Sequence, residues 1–189
     1  FVNDKDGRYQ HYGVSREGGR YQARLLRQFK LATQPEGCVV DDRNARLFIG
    51  EEKRGVWTMS AHEQATTAMQ MVLPVGKYLH ADVEGMAIHA APGKAPYLVV
   101  SSQGDNSYVV LDALPPWQVR GRFRIGFNPA AGIDGASETD GLDVTASNLG
   151  PGFEQGMLVV QDGYKRLPDG AQNFKYVRWQ DVVEGLKLR

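Results

Sequence analysis

The stretch "EGMAIHAAPGKAPYLVVSSQGDNSYVVLDA", residues 84–113, consists of short strand-like segments separated by polar turns. An acid–glycine pair opens an alternating segment, and a turn rich in glycine and proline leads into the apolar run "YLVVSS". The turn "QGDN" then leads into "SYVVLD". Short alternating or apolar segments bounded by such turns predict antiparallel β-strands.

The same order of segments occurs twice more in the chain. One copy is "EGCVVDDRNARLFIGEEKRGVWTMSA", residues 36–61, and the other is "DGLDVTASNLGPGFEQGMLVVQDG", residues 140–163, followed by "QNFKYVRW". A further alternating run precedes each acid–glycine pair: "ARLLRQFKL", "AMQMVLPV" and "VRGRFRIG". Four short strands repeated every ~50 residues, without long helices between them, favour the blades of a β-propeller over a generic sandwich or barrel.

We therefore expect an all-β chain in which residues 1–189 form part of one propeller domain. The predicted blade cores span about 36–80, 84–128 and 140–179, and residues 1–31 form the tail of a preceding blade. The stretch "QDVVEGLKLR" after Trp179 predicts a short amphipathic helix where the last blade needs its outer strand. Since propellers carry about four to eight blades, we expect an upstream segment or a second chain to complete the ring.

The composition excludes several classes of function. The 22 basic and 22 acidic residues cancel, which disfavours nucleic acid and anionic membranes as partners, and no apolar stretch is long enough for a membrane span. Cys38 is the only cysteine, and the four histidines lack zinc-binding spacing. Serine-hydrolase, P-loop and dinucleotide motifs are absent from the sequence. The N-terminus shows no signal peptide, so we expect any such segment to lie outside this chain.

The repeat predicts which polar side chains lie close together. Glu36, Glu84 and Asp140 open the first strands of successive units, which line the central channel of a propeller, so they should face one another near one mouth. The ends of the second strands also recur, as Glu51–Glu52, Ser102–Gln103 and Gln161–Asp162, so Gln103 stands where the neighbouring units have Glu52 and Asp162. Converging carboxylates need a compensating cation, and ligands that are all oxygen favour Ca²⁺. The sequence therefore predicts a calcium cluster.

Seven motifs carry a family resemblance: "EGCVVDD", "LFIGEE", "DVEGMAIH", "SSQG", "SETDGLDV", "VVQDG" and "QNFK". In this order and at this spacing, the chain resembles the C-terminal half of the β-propeller phytases, alkaline calcium-dependent 3-phytases with six blades. The resemblance runs from about Phe1 to Trp179. It implies that the chain forms about half of a six-bladed propeller.

The resemblance implies a phosphoric monoester hydrolase that acts on myo-inositol hexakisphosphate (phytate). Inorganic phosphate would be released by attack of metal-activated water, with several Ca²⁺ ions as cofactors. Carried over onto this sequence, the catalytic positions are Glu36, Lys5 and Asp6, and Lys5 also binds phosphate. Asp6 stands where the family usually has Glu, one methylene longer. The metal positions are Glu36, Glu52, Asp82, Glu84, Gln103, Asp134, Asp140 and Asp162.

The chain also departs from the family pattern. An acid-rich stretch and an arginine-containing stretch from the family's first half do not occur in these 189 residues. We therefore expect the C-terminal half of a phytase, an incomplete repeat of a two-domain phytase, or a chain whose first half lies elsewhere. The family implies a secreted or periplasmic bacterial protein. The alternative is a non-catalytic, calcium-stabilised propeller segment that binds phosphorylated ligands or a protein partner.

Overall fold

The computed structural model describes residues 1–188 and confirms the all-β prediction. Four separate antiparallel sheets follow one another along the chain, and in each the strands pair in sequence order. The first contains β1 (Val2–Asn3), β2 (Arg8–Glu17) and β3 (Arg20–Lys30). The second contains β4 (Pro35–Asp41), β5 (Arg46–Glu51), β6 (Gly55–Ser60) and β7 (Gln70–Pro74).

The remaining two sheets repeat this plan. The third contains β8 (Val83–His89), β9 (Tyr97–Ser102), β10 (Ser107–Asp112) and β11 (Val119–Phe123). The fourth contains β12 (Leu142–Thr145), β13 (Met157–Asp162) and β14 (Asn173–Arg178), and helix α1 (Trp179–Leu186) follows. The runs that precede the acid–glycine pairs form the outer strands β3, β7 and β11, as the repeat predicted. The predicted C-terminal helix is confirmed, although its last predicted residue, Arg189, lies outside the described residues.

The sheets stack face to face, which explains the apolar second strand of each unit. In β5, Leu47 and Ile49 pack into one core with the first sheet, whereas Phe48 packs into another core with the third. In β9, Leu98 belongs to the core shared with the second sheet and Val99 to the core shared with the fourth. Because successive side chains of a strand point to opposite faces, a strand buried on both faces needs apolar residues at every position.

Helix α1 covers the end of the fourth sheet. Trp179 and Val182 are buried in the core that the third and fourth sheets share, and the Trp179 ring stacks on His89 with centroids 4.1 Å apart. No helix within residues 1–188 has the length and apolar character needed to cross a membrane. The inner strand β8 lies between the inner strands β4 and β12 and contacts both.

Candidate functional site

The acid–glycine pairs occupy equivalent places at one end of the stacked sheets, which we call the mouth. In β4 the strand pairing is irregular between Pro35 and Cys38, and in β8 it is irregular between Val83 and Met86. Glu36–Gly37 and Glu84–Gly85 lie within these irregularities. Bulges of this kind redirect side chains next to functional sites.

Glycine is required in these pairs because neighbouring inner strands approach closely. A Cβ atom on Gly37 would lie 2.3 Å from the backbone oxygen of Glu84, and one on Gly85 would lie 2.6 Å from that of Asp140. The Gly85 N–H also donates to the Asp140 carbonyl at 2.7 Å. The three pairs therefore lie in one row across adjacent blades, which confirms that Glu36, Glu84 and Asp140 are brought together.

Glu84 lies at the centre of a group of carboxylates. Burial raises its pKa from 4.5 to about 7, and repulsion from other carboxylates adds to that effect. The contributing groups, in decreasing order, are Glu36, Asp140, Asp82 and Glu52. We call these five side chains the mouth cluster. All five were predicted metal positions, and the structure places them within electrostatic reach of one another.

Two glutamine amides donate hydrogen bonds to carboxylates of the mouth cluster. Gln103 Nε2 donates to Asp140 Oδ1 at 2.6 Å, and Gln34 Nε2 donates to Glu36 Oε1. Gln103 opens a 3₁₀ turn, and its backbone N–H donates to the Asp82 carbonyl at 3.0 Å. The turn packs closely against the chain at Ala81, since a Cβ on Gly104 would lie only 1.5 Å from the Ala81 oxygen. Gln103 therefore lies beside the mouth cluster, where it was predicted.

The ends of the second strands hold a buried polar residue just before the mouth. Glu51 is fully buried and accepts hydrogen bonds from Thr33 N and from Trp57 Nε1, both at 2.7 Å. Glu51 therefore stabilises the second sheet, and the next residue, Glu52, belongs to the mouth cluster. The strand pairings place Ser102 and Asp162 level with Glu51. Asp162 therefore lies one residue earlier than the expected alignment with Glu52 and Gln103.

Asp134 and Asp162 lie apart from the mouth cluster, around a buried lysine. Lys175 Nζ lies 2.9 Å from Asp134 Oδ1 and 2.7 Å from Asp162 Oδ2. All three side chains are at least nine-tenths buried. The Arg166 backbone N–H and then Lys175 lower the pKa of Asp134 to about 2, and burial opposes that change. We call Asp134, Asp162 and Lys175 the rim triad.

Lys5 and Asp6 lie in the turn between β1 and β2, and their side chains are exposed. Asn3 Nδ2 donates to the Pro35 carbonyl at 3.4 Å, which holds this turn beside the start of β4. Glu36 is the next residue after Pro35. The predicted catalytic and phosphate-binding positions therefore lie at the same end of the sheets as Glu36.

The mouth cluster suits a hard divalent cation by its chemistry. Its donors are carboxylate oxygens, with the Gln103 amide beside them, and burial together with the neighbouring carboxylates disfavours the charged form of Glu84. In residues 1–188, no group of three or more His, Cys, Asp or Glu side chains is already arranged to hold a metal ion. The donor types fit Ca²⁺, and binding would draw the carboxylates together.

Sequence reasoning missed two charged groups on this side of the molecule. One is Lys175 of the rim triad, and the other is a pair of arginines, Arg122 and Arg124, that both contact Asp105. A signal was present for each. Lys175 stands between the aromatic residues Phe174 and Tyr176, and the "RGRFR" run places arginines at alternate positions.

Two comparisons with known proteins agree with this geometry. A sequence profile of the family described as Phytase matches residues 1–188. A 3-phytase from Bacillus subtilis (strain 168) is 37% identical over 192 residues, which covers 98% of this chain and 49% of the relative. The chain thus spans about half the length of this relative, and the profile match includes all four sheets and every residue of the candidate site.

Proposed function

Because the chain belongs to the phytase family, as its motifs predicted, we propose that it takes part in calcium-dependent hydrolysis of phosphomonoesters of myo-inositol hexakisphosphate. The observation that carries this proposal is the convergence of four carboxylates on Glu84 at the mouth. A polyanionic substrate cannot approach such a cluster unless cations are bound there. The printed name of the relative, a 3-phytase, supports the same class of reaction.

The residues that would hold Ca²⁺ are those of the mouth cluster together with the Gln103 side chain. Calcium bound there would attract the phosphate oxygens and lower the pKa of coordinated water. Asp134 and Asp162 remain further candidate positions, but both already accept a hydrogen bond or ion pair from Lys175. We therefore assign the mouth cluster the main role.

The chain's own side chains would orient the substrate and move a proton. The exposed ammonium of Lys5 lies at the same end as Glu36 and can attract a phosphate group. Glu36, oriented by the amide of Gln34, can accept a proton from an attacking water. Asp6, adjacent to Lys5, can position it. These roles are part of the proposal.

We also propose that another segment or chain completes the domain and that the protein works in a secreted or periplasmic location. In the described residues the fourth sheet has three strands, with β14 at its edge. Phe174 and Tyr176 of β14 are 63% and 67% exposed. Folded proteins usually cover such an edge, so a strand supplied from elsewhere would be expected to pair with β14.

Phosphate release from myo-inositol hexakisphosphate tests the proposal. We expect activity with Ca²⁺, loss of activity in EGTA, and a decrease of about tenfold for Glu84→Gln at subsaturating Ca²⁺. Glu184→Gln is a matched control, because Glu184 lies on α1 at the opposite end of the sheets and is exposed. Calcium-dependent stabilisation without phosphate release from the complete protein would contradict hydrolysis and favour the non-catalytic, ligand-binding alternative.

A further inference from the structure

Three arginines lie at alternate positions along the outer strand of the third sheet and just after it, and they are paired unequally. Arg120 forms a two-point contact with Asp112, with Nε to Oδ1 and Nη2 to Oδ2 both at 2.7 Å. One guanidinium is thus paired with one carboxylate. Arg122 and Arg124 both contact the same carboxylate, Asp105. Two cations therefore share one anion.

Asp105 is already well supplied with hydrogen bonds. It accepts from Ser102 Oγ at 2.9 Å and from Ser107 Oγ at 2.7 Å, in addition to the Arg122 guanidinium. One arginine is enough to pair with such a carboxylate, as Arg120 pairs with Asp112. Arg124 thus supplies a positive charge beyond that need.

The excess charge faces solvent close to the mouth cluster. The Arg124 side chain is 64% exposed and the His80 side chain is 50% exposed, and His80 Nε2 lies 3.9 Å from Asp105 Oδ2. Asp105 closes the 3₁₀ turn that Gln103 opens, and Gln103 contacts Asp140 of the mouth cluster. A net positive group therefore lies one short turn away from the carboxylates.

We propose that Arg124, Arg122 and His80 form an oxyanion site for a phosphate group of a polyphosphorylated ligand, distinct from the group held at the mouth cluster. Guanidinium groups match phosphate oxygens with two parallel N–H donors, and Arg124 is held at its Nε by the Asp105 carbonyl at 3.0 Å. The identity of the ligand rests on the proposed function. The position of the site rests on the charge and geometry around Asp105.

Calorimetric titration of the full chain with myo-inositol hexakisphosphate tests the site, in Ca²⁺ and in EGTA. Arg124→Gln leaves Arg122 to pair with Asp105, so the turn should stay folded. Loss of one charge-assisted contact is expected to weaken binding about tenfold. The same variant should raise KM for hexakisphosphate without lowering kcat, and it should not change the hydrolysis of p-nitrophenyl phosphate, which carries a single phosphate.

Arg120→Gln is the matched control, since it removes an arginine–carboxylate pair on the same strand and leaves Asp105 untouched. Equal hexakisphosphate affinities for Arg124→Gln and Arg120→Gln, or no binding by the parent chain, would overturn the site. Binding that depends on Arg124 but produces no phosphate would support the site and contradict the hydrolytic function. Hydrolysis that is equally fast in both variants, with an unchanged KM, would support the hydrolytic function and contradict the site.

Discussion

Two groups of carboxylates at the same end of the sheets carry their negative charge in opposite ways. In the mouth cluster, every charged group that shifts the pKa of Glu84 is another carboxylate, and that pKa rises to about 7. In the rim triad, Asp134 and Asp162 share the ammonium of Lys175, and the pKa of Asp134 falls to about 2. The difference lies in whether the fold supplies the compensating cation.

This comparison separates a group whose charge the fold neutralises from one whose charge it leaves unpaired. The rim triad is complete within the fold, because each carboxylate is paired and hydrogen-bonded, as buried charges must be. The mouth cluster instead combines burial with repulsion among its carboxylates, an arrangement that occurs most often at functional sites. A ligand that relieves the repulsion should therefore stabilise the mouth and leave the rim unchanged.

Removing the built-in cation should produce the largest effect. Lys175→Met keeps much of the side-chain volume but leaves two buried carboxylates without their partner. Breaking a buried pair on one side is strongly destabilising, so we expect the melting temperature to fall by roughly 10 to 15 °C. Differential scanning calorimetry in EGTA measures the change without a contribution from calcium.

Lys165→Met is the control for this substitution. Lys165 lies in the neighbouring loop, and its ammonium contacts only the Pro168 carbonyl among the hydrogen bonds found for it in residues 1–188. We expect a change within about 2 °C. If both lysine variants melted at the same temperature, the rim triad would be an exposed ion pair of little energetic value.

Supplying the missing cation should produce the next largest effect. Calcium at a hundredfold excess over its Kd should stabilise the chain by about 3 kcal/mol, or roughly 8 °C, relative to EGTA. Glu84→Gln removes the central charge and should reduce this gain, whereas Glu184→Gln should not. An equal melting temperature for the parent chain in both conditions would show that the mouth cluster is a solvated surface that binds no calcium.

The pH dependence of the melting temperature, measured in EGTA, should distinguish the mouth cluster from the rim triad. The folded pKa of Glu84, about 7, exceeds its ordinary value of 4.5, so its contribution to stability is complete below 4.5 and is lost as pH rises through 7. The melting temperature should therefore fall by a few degrees between pH 5 and pH 8, and Glu84→Gln should remove that decline. The depressed pKa of Asp134 has the opposite sign, and its contribution is lost only as pH falls towards 2. A decline of equal size in Glu84→Gln would assign it to other groups.

The repeat made the mouth cluster predictable. A close approach of neighbouring inner strands requires glycine, and Gly37 and Gly85, which follow the acids, lie where that approach occurs. Because the strand period is two residues and the blades repeat, equivalent positions had to meet. The fold and the position of Glu36, Glu84 and Asp140 therefore followed from local patterns.

The rim triad could not be predicted in the same way. In β14 the aromatic residues Phe174 and Tyr176 face outwards and Lys175 faces inwards, which reverses the phase that hydrophobicity favours. Only the tertiary partners Asp134 and Asp162, distant in sequence, make burial of the lysine favourable. Likewise, no local pattern showed that Arg122 and Arg124 would share one carboxylate.

Changing Gln103, a neutral residue beside the mouth cluster, should produce the smallest effect and the sharpest test of the comparison. Gln103→Glu places a negative charge where an amide now donates to Asp140 at 2.6 Å, and Gln103→Leu removes the hydrogen bond without adding charge. In EGTA both variants lose that bond, but the Glu variant also adds repulsion, so it should be less stable than the Leu variant by about 1 kcal/mol, or roughly 3 °C. Calcium should reverse the order, because a carboxylate is a stronger ligand for the ion than an alkyl group. Thermal melting of both variants in EGTA and in Ca²⁺ tests this reversal of their order of stability. If the two variants differed by the same amount and in the same direction in both conditions, charge at this position would be independent of calcium, and the mouth would resemble the rim.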